Sequence, residues 1–321
     1  MTSAPTPATA GGGTEPTRAS RAAVPGGAVP DLGATTVTQA PGPGRRPRRL
    51  TPRSVVLLVF GVLIAVVYLL PFYVAIVNAF KTDQDASLHP LALPVTWTGA
   101  AFQTLFENSD FGIWAMNSII VAVFVTLGRI FFDSLAGYAL ARLRFPGRQT
   151  VFALLIAVMA VPGVVLLIPK FLVINQLGMY DSYSGMIVPL LVDAAGVFIM
   201  KNFFESIPVS VEEQAKIDGA GTFRTFWSVV LPMARPAVVT ITILSFQGSW
   251  NELAHFIVST SSPDLTTLTK GVASLASGAL SAGNQFPVKL AAAFVMTIPV
   301  AVAFFVFQKR IMNGSDGAVK E

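Results

Sequence analysis

Residues 212–232 read EEQAKIDGAGTFRTFWSVVLP, a polar and partly charged island set between two long apolar segments. A short turn would suffice to join two such segments, so the island is read as a structured element. Ser210, with Glu213 three residues on and then Ala215 and Ile217, is a capping-box pattern that opens a short helix. Asp218-Gly219 stops it, because glycine takes the left-handed conformation without a side-chain clash. A second short helix is predicted from Thr222 or Phe223 to Leu231, ended by Pro232. Two short helices meeting at a glycine make a compact knob, with Phe223, Phe226 and Trp227 on its exposed side to fill a groove on a partner. The alternative is an ordinary interfacial hairpin in which Glu213 only caps a helix.

The composition on either side of the island places it at a membrane. Of 321 residues, 53% are hydrophobic and only 12% charged, whereas charged residues make up about a quarter of a soluble domain. The apolar residues cluster into six runs near the ~20 residues needed to span about 30 Å of hydrocarbon. These are roughly Val55–Phe80, Ser118–Leu140, Val151–Val173, Met186–Phe203, Ala237–Val258 and Leu290–Phe307. Pro71 is expected to kink or loosen the first. The chain has no cysteine and only two histidines, His89 and His255, which argues against thiol chemistry, disulfides and a histidine metal cluster.

Net charge is +5, and its distribution follows membrane topology. Arg45, Arg46, Arg48, Arg49 and Arg53 precede the first run, and Arg142, Arg144 and Arg148 follow the second. Lys201, Lys216, Arg224 and Arg235 flank the fourth and fifth, and Lys309 and Arg310 follow the sixth. With an even number of spans, this bias puts both termini and the island in the cytoplasm. Topology accounts for the basic residues without nucleic acid. Residues 1–50, rich in Ala, Gly, Pro, Thr and Ser, are expected to be a disordered cytoplasmic tail and not a signal peptide. Residues 51–321 form the membrane domain. Its loop toward the cytoplasm covers about 205–235, and its outer loops cover about 81–116 and 259–287. The first outer loop is expected to be an irregular cap.

Several short patterns together identify a resemblance. Glu213-Gln214-Ala215, three residues, Gly219, nine residues, then Val229-x-Leu231-Pro232 resembles the signature loop of the membrane subunits of bacterial ABC importers. Gln214 and Val229 depart from that pattern, and its spacing is intact. Ile217-Asp218-Gly219-Ala220, Tyr138 to Arg142, Phe145-Pro146-Gly147, Gly248-Ser249-Trp250-Asn251-Glu252 and Gly317-Ala318-Val319-Lys320 look like the carbohydrate branch. The subunit resembled is the shorter, six-span partner of the maltose-type pair.

The resemblance implies an all-α membrane protein with six transmembrane helices and the type I permease fold of ABC importers. It implies a subunit of an ATP-driven carbohydrate importer in the bacterial inner membrane, with no chemistry of its own. A second permease subunit, two ATPase subunits, an extracytoplasmic sugar-binding protein and a carbohydrate substrate are the implied partners, within a lipid bilayer. No Gly-x4-Gly-Lys-Ser/Thr loop occurs, so ATP and Mg would be bound by the separate ATPase. Coupling to that ATPase is assigned to the Glu212–Pro232 loop through Glu212, Glu213, Ala215, Asp218, Gly219, Ala220, Phe223, Phe226, Leu231 and Pro232.

Polar residues inside the spans need an account, since a charge at mid-bilayer costs about 2.5–3.5 kcal/mol on insertion scales. Arg129 and Asp133 lie four apart on one helical face and are expected to form an internal ion pair, with substrate contact as the alternative. Asp193 has no local partner and is read either at a helix interface or on a wet path. Gln247, Trp250, Asn251 and Glu252 combine hydrogen-bonding groups with an aromatic face, which suits a sugar's hydroxyls and its C–H side; interfacial packing is the alternative. The outer loop 259–287 exceeds the ~12–15 residues typical of plain connections. By resemblance it reaches the binding protein, through Ser277, Gly278, Asn284 and Gln285, the alternative being a flexible cap. A secondary transporter or channel is the rival class, against which the extra knob and the lack of an evident inverted repeat count; a membrane scaffold or sensor is another.

Overall fold

The computed structural model describes residues 52–277 and 285–315, which are helical with no strand among them. The expected tail over residues 1–50 and the motif Gly317–Lys320 lie outside the described residues. The chain divides into Met1–Val56 and Leu57–Glu321, and of the first only residues 52–56, the opening of a helix, are described.

Helix α1 (Pro52–Ala79) runs unbroken through Pro71 and is apolar on all sides. Its residues from Val55 to Phe72 are exposed almost without exception, as befits a helix whose surroundings are apolar too. Two short helices, α2 (Asp83–Leu88) and α3 (Ala100–Glu107), follow where an irregular cap was expected. The buried Lys81 ammonium donates to the His89 carbonyl (2.6 Å) and the Asn78 amide to that of Pro90 (2.7 Å), folding this segment back on the end of α1.

Helix α4 (Phe111–Arg142) is the central strut. Its 32 residues extend ~48 Å at about 1.5 Å each, longer than the ~30 Å of hydrocarbon. It packs on α8 (Ala194–Ser206) and α12 (Arg235–Trp250), the two most extensive helix contacts in the fold. The α4–α8 approach depends on Gly137, where a Cβ would lie 2.7 Å from the Met200 Cβ and 2.9 Å from the Lys201 backbone nitrogen.

Four helical spans are apolar and long enough to cross the bilayer, and two bent helix pairs bring the number to six where each counts as one span. The third expected span divides into α5 (Arg148–Met159) and, after a 3-10 turn at Gly163–Leu166, α6 (Leu167–Gln176), at 103° to one another. Pro162 is the cause: it has no amide to continue the helix and itself takes an extended ψ of 128°. The fourth begins as α7 (Tyr183–Ile187), passes through a 3-10 turn at Val188–Leu190 containing Pro189, and restarts as α8.

Beyond α8 come α9 (Val209–Ile217), α10 (Thr222–Thr225), a π turn over Phe226–Val230 and α11 (Leu231–Met233), with Thr222–Met233 together bent by 80° against α12. The fifth expected span also breaks, since α12 stops at Trp250 and α13 (Ala254–Ser259) follows. The segment expected to face outward then carries α14 (Leu268–Ser277), and α15 (Phe286–Ser315) closes the described chain.

Candidate functional site

The island folds as the predicted knob, with different closures at its two ends. Helix α9 starts after Pro208 with no side-chain cap, so the Ser210–Glu213 capping box does not form. Proline turns the chain into the helix, and Ser210 already lies inside the first turn. At the other end Gly219 has φ +80°, its amide reaches the Lys216 carbonyl (3.0 Å), and the Ala220 amide reaches that of Ala215 (2.9 Å). This is a Schellman closure, which satisfies carbonyls that the helix end would leave unpaired. Pro232 has no amide to give Ser228, and the turn before it widens to the π form.

The faces of the knob divide sharply. Glu213, Asp218 and Gly219 are exposed, as are Ile217 (84%), Phe223 (68%) and Trp227 (50%). The Phe223 and Trp227 rings stack, 9° from parallel with centroids 6.4 Å apart. Phe226, expected on the exposed face, is buried against Tyr138 (5.0 Å) and Phe204 (6.2 Å), on the side of the knob that meets α4 and α8. Ala215 is buried, and Ala220, Leu231 and Pro232 are half-buried.

Glu212 is buried as well, and this ties the knob to α4. Arg142 Nε lies 2.8 Å from Glu212 Oε1 but off the N–H direction, so the contact is an ion pair without an aligned hydrogen bond. The Tyr138 hydroxyl donates to Glu212 Oε2 (3.2 Å). Arg142 also donates through Nη2 to the carbonyl of Phe204 (2.7 Å) and to that of Ile207, at the end of α8. One guanidinium therefore joins α4, α8 and α9. Neither Tyr138 nor Arg142 was assigned to the site from sequence, since a carboxylate at position 212 does not identify a partner 70 residues earlier.

Inside the membrane, Arg129 and Asp133 do not pair with each other. Arg129 Nε donates to the Leu190 carbonyl (2.8 Å), and Asp133 Oδ1 accepts the Asp193 amide (3.0 Å). Leu190 ends the first half of the broken span, and Asp193 is the N-cap of α8, its own carboxylate accepting the Gly196 amide (3.2 Å). A cation at the carbonyl end and an anion at the amide end suit the backbone dipoles. They also satisfy groups that a helix break would leave bare in hydrocarbon. Asp193 thus caps α8 at the break, with its side chain half-buried.

The α12 set separates. Trp250 is buried, stacked on Phe246 (5.7 Å, 23°), and donates through Nε1 to the Met296 carbonyl (3.1 Å), so it presents no aromatic platform. Glu252 accepts the His255 amide (3.0 Å) at the start of α13. Gln247 and Asn251 remain exposed, a turn apart on one face of α12.

In the segments expected on the outer side, Asp181 is the described non-glycine residue with positive φ (56°). Its carboxylate accepts the amides of Ser261 and Ser262 (2.9 Å each) and the Ser262 hydroxyl, and these bonds hold its pKa down at about 2. Asn117 donates to the carbonyls of Asp264 (2.8 Å) and Thr266 (2.9 Å) and accepts from Tyr183 (2.6 Å). Burial lowers the pKa of Lys270, an effect opposed by the Asp181 carboxylate, and its ammonium donates to the Thr260 carbonyl (2.7 Å). The first part of the 259–287 segment is therefore fastened down. Ser277 is exposed at the end of α14 and Gln285 is half-buried before α15, while Gly278 and Asn284 lie outside the described residues.

No group of three or more metal-ligating side chains occurs among the described residues. Residues 133–313 match the family described as binding-protein-dependent transport system inner membrane component. The chain is 32% identical over 268 residues to the sn-glycerol-3-phosphate transport system permease protein UgpE of Yersinia pestis, covering 81% of this chain and 93% of the relative. It is 30% identical over 252 residues to the diacetylchitobiose uptake system permease protein NgcG of Streptomyces coelicolor, covering 78% and 83%. Its fold is similar, with a TM-score of 0.71 and 26% identity, to a chain in the crystal structure of a bacterial ABC transporter involved in import of the acidic polysaccharide alginate. That match covers 82% of this chain and 98% of the other.

Proposed function

This chain belongs to the family of binding-protein-dependent transport system inner membrane components, and from that premise we propose how it works within its transporter. It is a membrane-spanning subunit of an ATP-driven carbohydrate importer, multi-pass and all-helical, and a transporter subunit rather than an enzyme. With a second permease subunit it encloses the path, two ATPase subunits supply the free energy, and an extracytoplasmic sugar-binding protein delivers the substrate. Both termini and the knob lie on the cytoplasmic side, as the arginine and lysine bias favours.

The observation that carries the coupling role is the division of the 212–232 loop into two faces. One face, with Ile217, Phe223 and Trp227, exposes large apolar side chains beside Glu213 and Asp218 on a rigid, Schellman-closed turn. The other is bonded to α4 and α8 through Glu212 and Arg142. A partner that seats on the exposed face and shifts it moves the central strut with it. Alternating access then follows as reorientation of the two permease subunits around a shared cavity.

Co-purification tests this reading. The complex drawn from detergent-solubilised membranes on a tag at this chain is expected to hold a second permease and two ATPase copies, and Ile217→Asp with Phe223→Asp is expected to release the ATPase. Retention of the ATPase by that double variant would place the docking face elsewhere.

A further inference from the structure

We propose that Arg129, with Gln247, Gly248 and Asn251 beside it, forms an oxyanion seat on the translocation path, so that the carbohydrate carried is anionic, a uronate or a sugar phosphate. This rests on the reading of the chain as half of a carbohydrate path and specifies the substrate class at that site.

Arg129 sits thirteen residues before Arg142 on α4, about 20 Å along the axis, well inside the hydrocarbon depth and away from lipid head groups. A guanidinium stays charged there, so its whole donor set needs a counterpart. Among the described residues only Nε has one, the Leu190 carbonyl at 2.8 Å. The two terminal nitrogens have no acceptor among the described residues, and Arg129 forms no ion pair there. Asp133, the nearest acid along the helix, is fully buried and turned to the Asp193 amide. The side chain is half-exposed and pinned at Nε, so its outer edge is held in one orientation.

That edge faces α12 at a gap in the side-chain layer. A Cβ placed on Gly248 would lie 3.6 Å from Arg129 Nη1. Gly248 is exposed, as are its chain neighbour Gln247 and, three residues on, Asn251, and neither polar side chain hydrogen-bonds to another described residue. A fixed pair of N–H donors fits a carboxylate or phosphate in two-pronged fashion, and the flanking amides suit the neighbouring sugar hydroxyls. A guanidinium whose terminal N–H groups have no acceptor among the described residues attracts an anion far more strongly than a neutral sugar.

The natural chain has no cysteine, and a Cβ at Gly248 meets ordinary contact distance, so Gly248→Cys gives one reporter thiol. In vesicles holding the complete transporter, labelling of this chain by an anionic and a cationic methanethiosulfonate of similar size is compared by mass. The anionic reagent is expected to react faster, and adding Arg129→Gln is expected to lower the anion-to-cation rate ratio roughly tenfold. A glucuronate-containing disaccharide or glucose 1-phosphate, delivered at saturating concentration, is expected to slow labelling where cellobiose does not, and this protection is expected to vanish in Arg129→Gln. Asn251→Cys provides the same readout should Gly248→Cys assemble poorly. Equal protection by cellobiose, or a rate ratio indifferent to Arg129, would overturn the anion seat while leaving the carbohydrate path standing. A thiol at either position that no water-soluble reagent reaches would overturn the path reading as well.

Discussion

Substituting Glu212→Gln removes one charge from the junction of α4, α8 and α9 with almost no change in shape. The Glu212 and Arg142 side chains are only 6% and 10% exposed, so water screens the loss little. Breaking one half of a buried ion pair costs about 3–5 kcal/mol. Arg142 keeps the Phe204 and Ile207 carbonyls and Gln can still accept from Tyr138, which places the cost near the lower figure, ~3 kcal/mol. At about 1.4 kcal/mol per tenfold, the undocked state of the knob becomes roughly 100-fold more populated. Amide hydrogen exchange across α9 in the purified complex reads this directly, and α9 exchange is expected to accelerate by about that factor while α4 does not change. Uptake is expected to fall, with basal ATP hydrolysis persisting. Arg142→Gln is expected to do the same, and the double variant to cost at least ~1 kcal/mol less than the sum of the two. Unchanged α9 exchange in both single variants, or strict additivity, would refute the linkage.

Gly219→Pro is expected to leave the subunit in the membrane but uncouple ATP hydrolysis from uptake, because proline cannot take φ +80° or donate the Gly219 amide to Lys216; wild-type, substrate-stimulated ATPase activity in reconstituted complexes would count against it. Gly137→Leu is expected to abolish accumulation of the complex, measured by yield, since its side chain would have to enter the space held by Met200 and the Lys201 backbone. Asp181 has its pKa lowered to about 2, so the stability it lends is complete above the unfolded value of about 3.9 and is lost as pH falls from there through the folded value; the difference in Tm between wild type and Asp181→Asn is expected to be constant above about pH 5 and to shrink toward zero near pH 2. Single cysteines replacing Arg148 and Thr222 are expected to be shielded from an impermeant thiol reagent in intact cells, and those replacing Gln103 and Ser277 to be labelled; the reverse pattern would invert the topology.

The fold class and the knob were legible because both rest on local chemistry. An apolar run near 20 residues has few stable fates other than a span. A glycine after Asp218 marks a left-handed turn whatever lies around it, and Gly219 adopts one. The breaks in the spans were less legible, since Pro71 and Pro162 look alike in sequence. Pro71 is carried inside a continuous helix, whereas Pro162, followed by Gly163, ends one.

What the sequence by itself determined was therefore the all-helical membrane architecture, the family pattern and the existence of a structured polar island. The tertiary structure alone decided where each polar group finds its partner. Arg129 and Asp133, neighbours on one helical face, bind opposite ends of a break some 60 residues away instead of each other. Glu212 turns inward to Arg142, Phe226 turns inward where exposure was expected, and Trp250 packs inward, the alternative to a sugar-facing ring. The physical reason is that helix periodicity fixes which residues share a face but not what that face meets. In a span the strongest demand on a charge comes from unpaired backbone, and helix breaks expose that backbone only once distant segments have packed together.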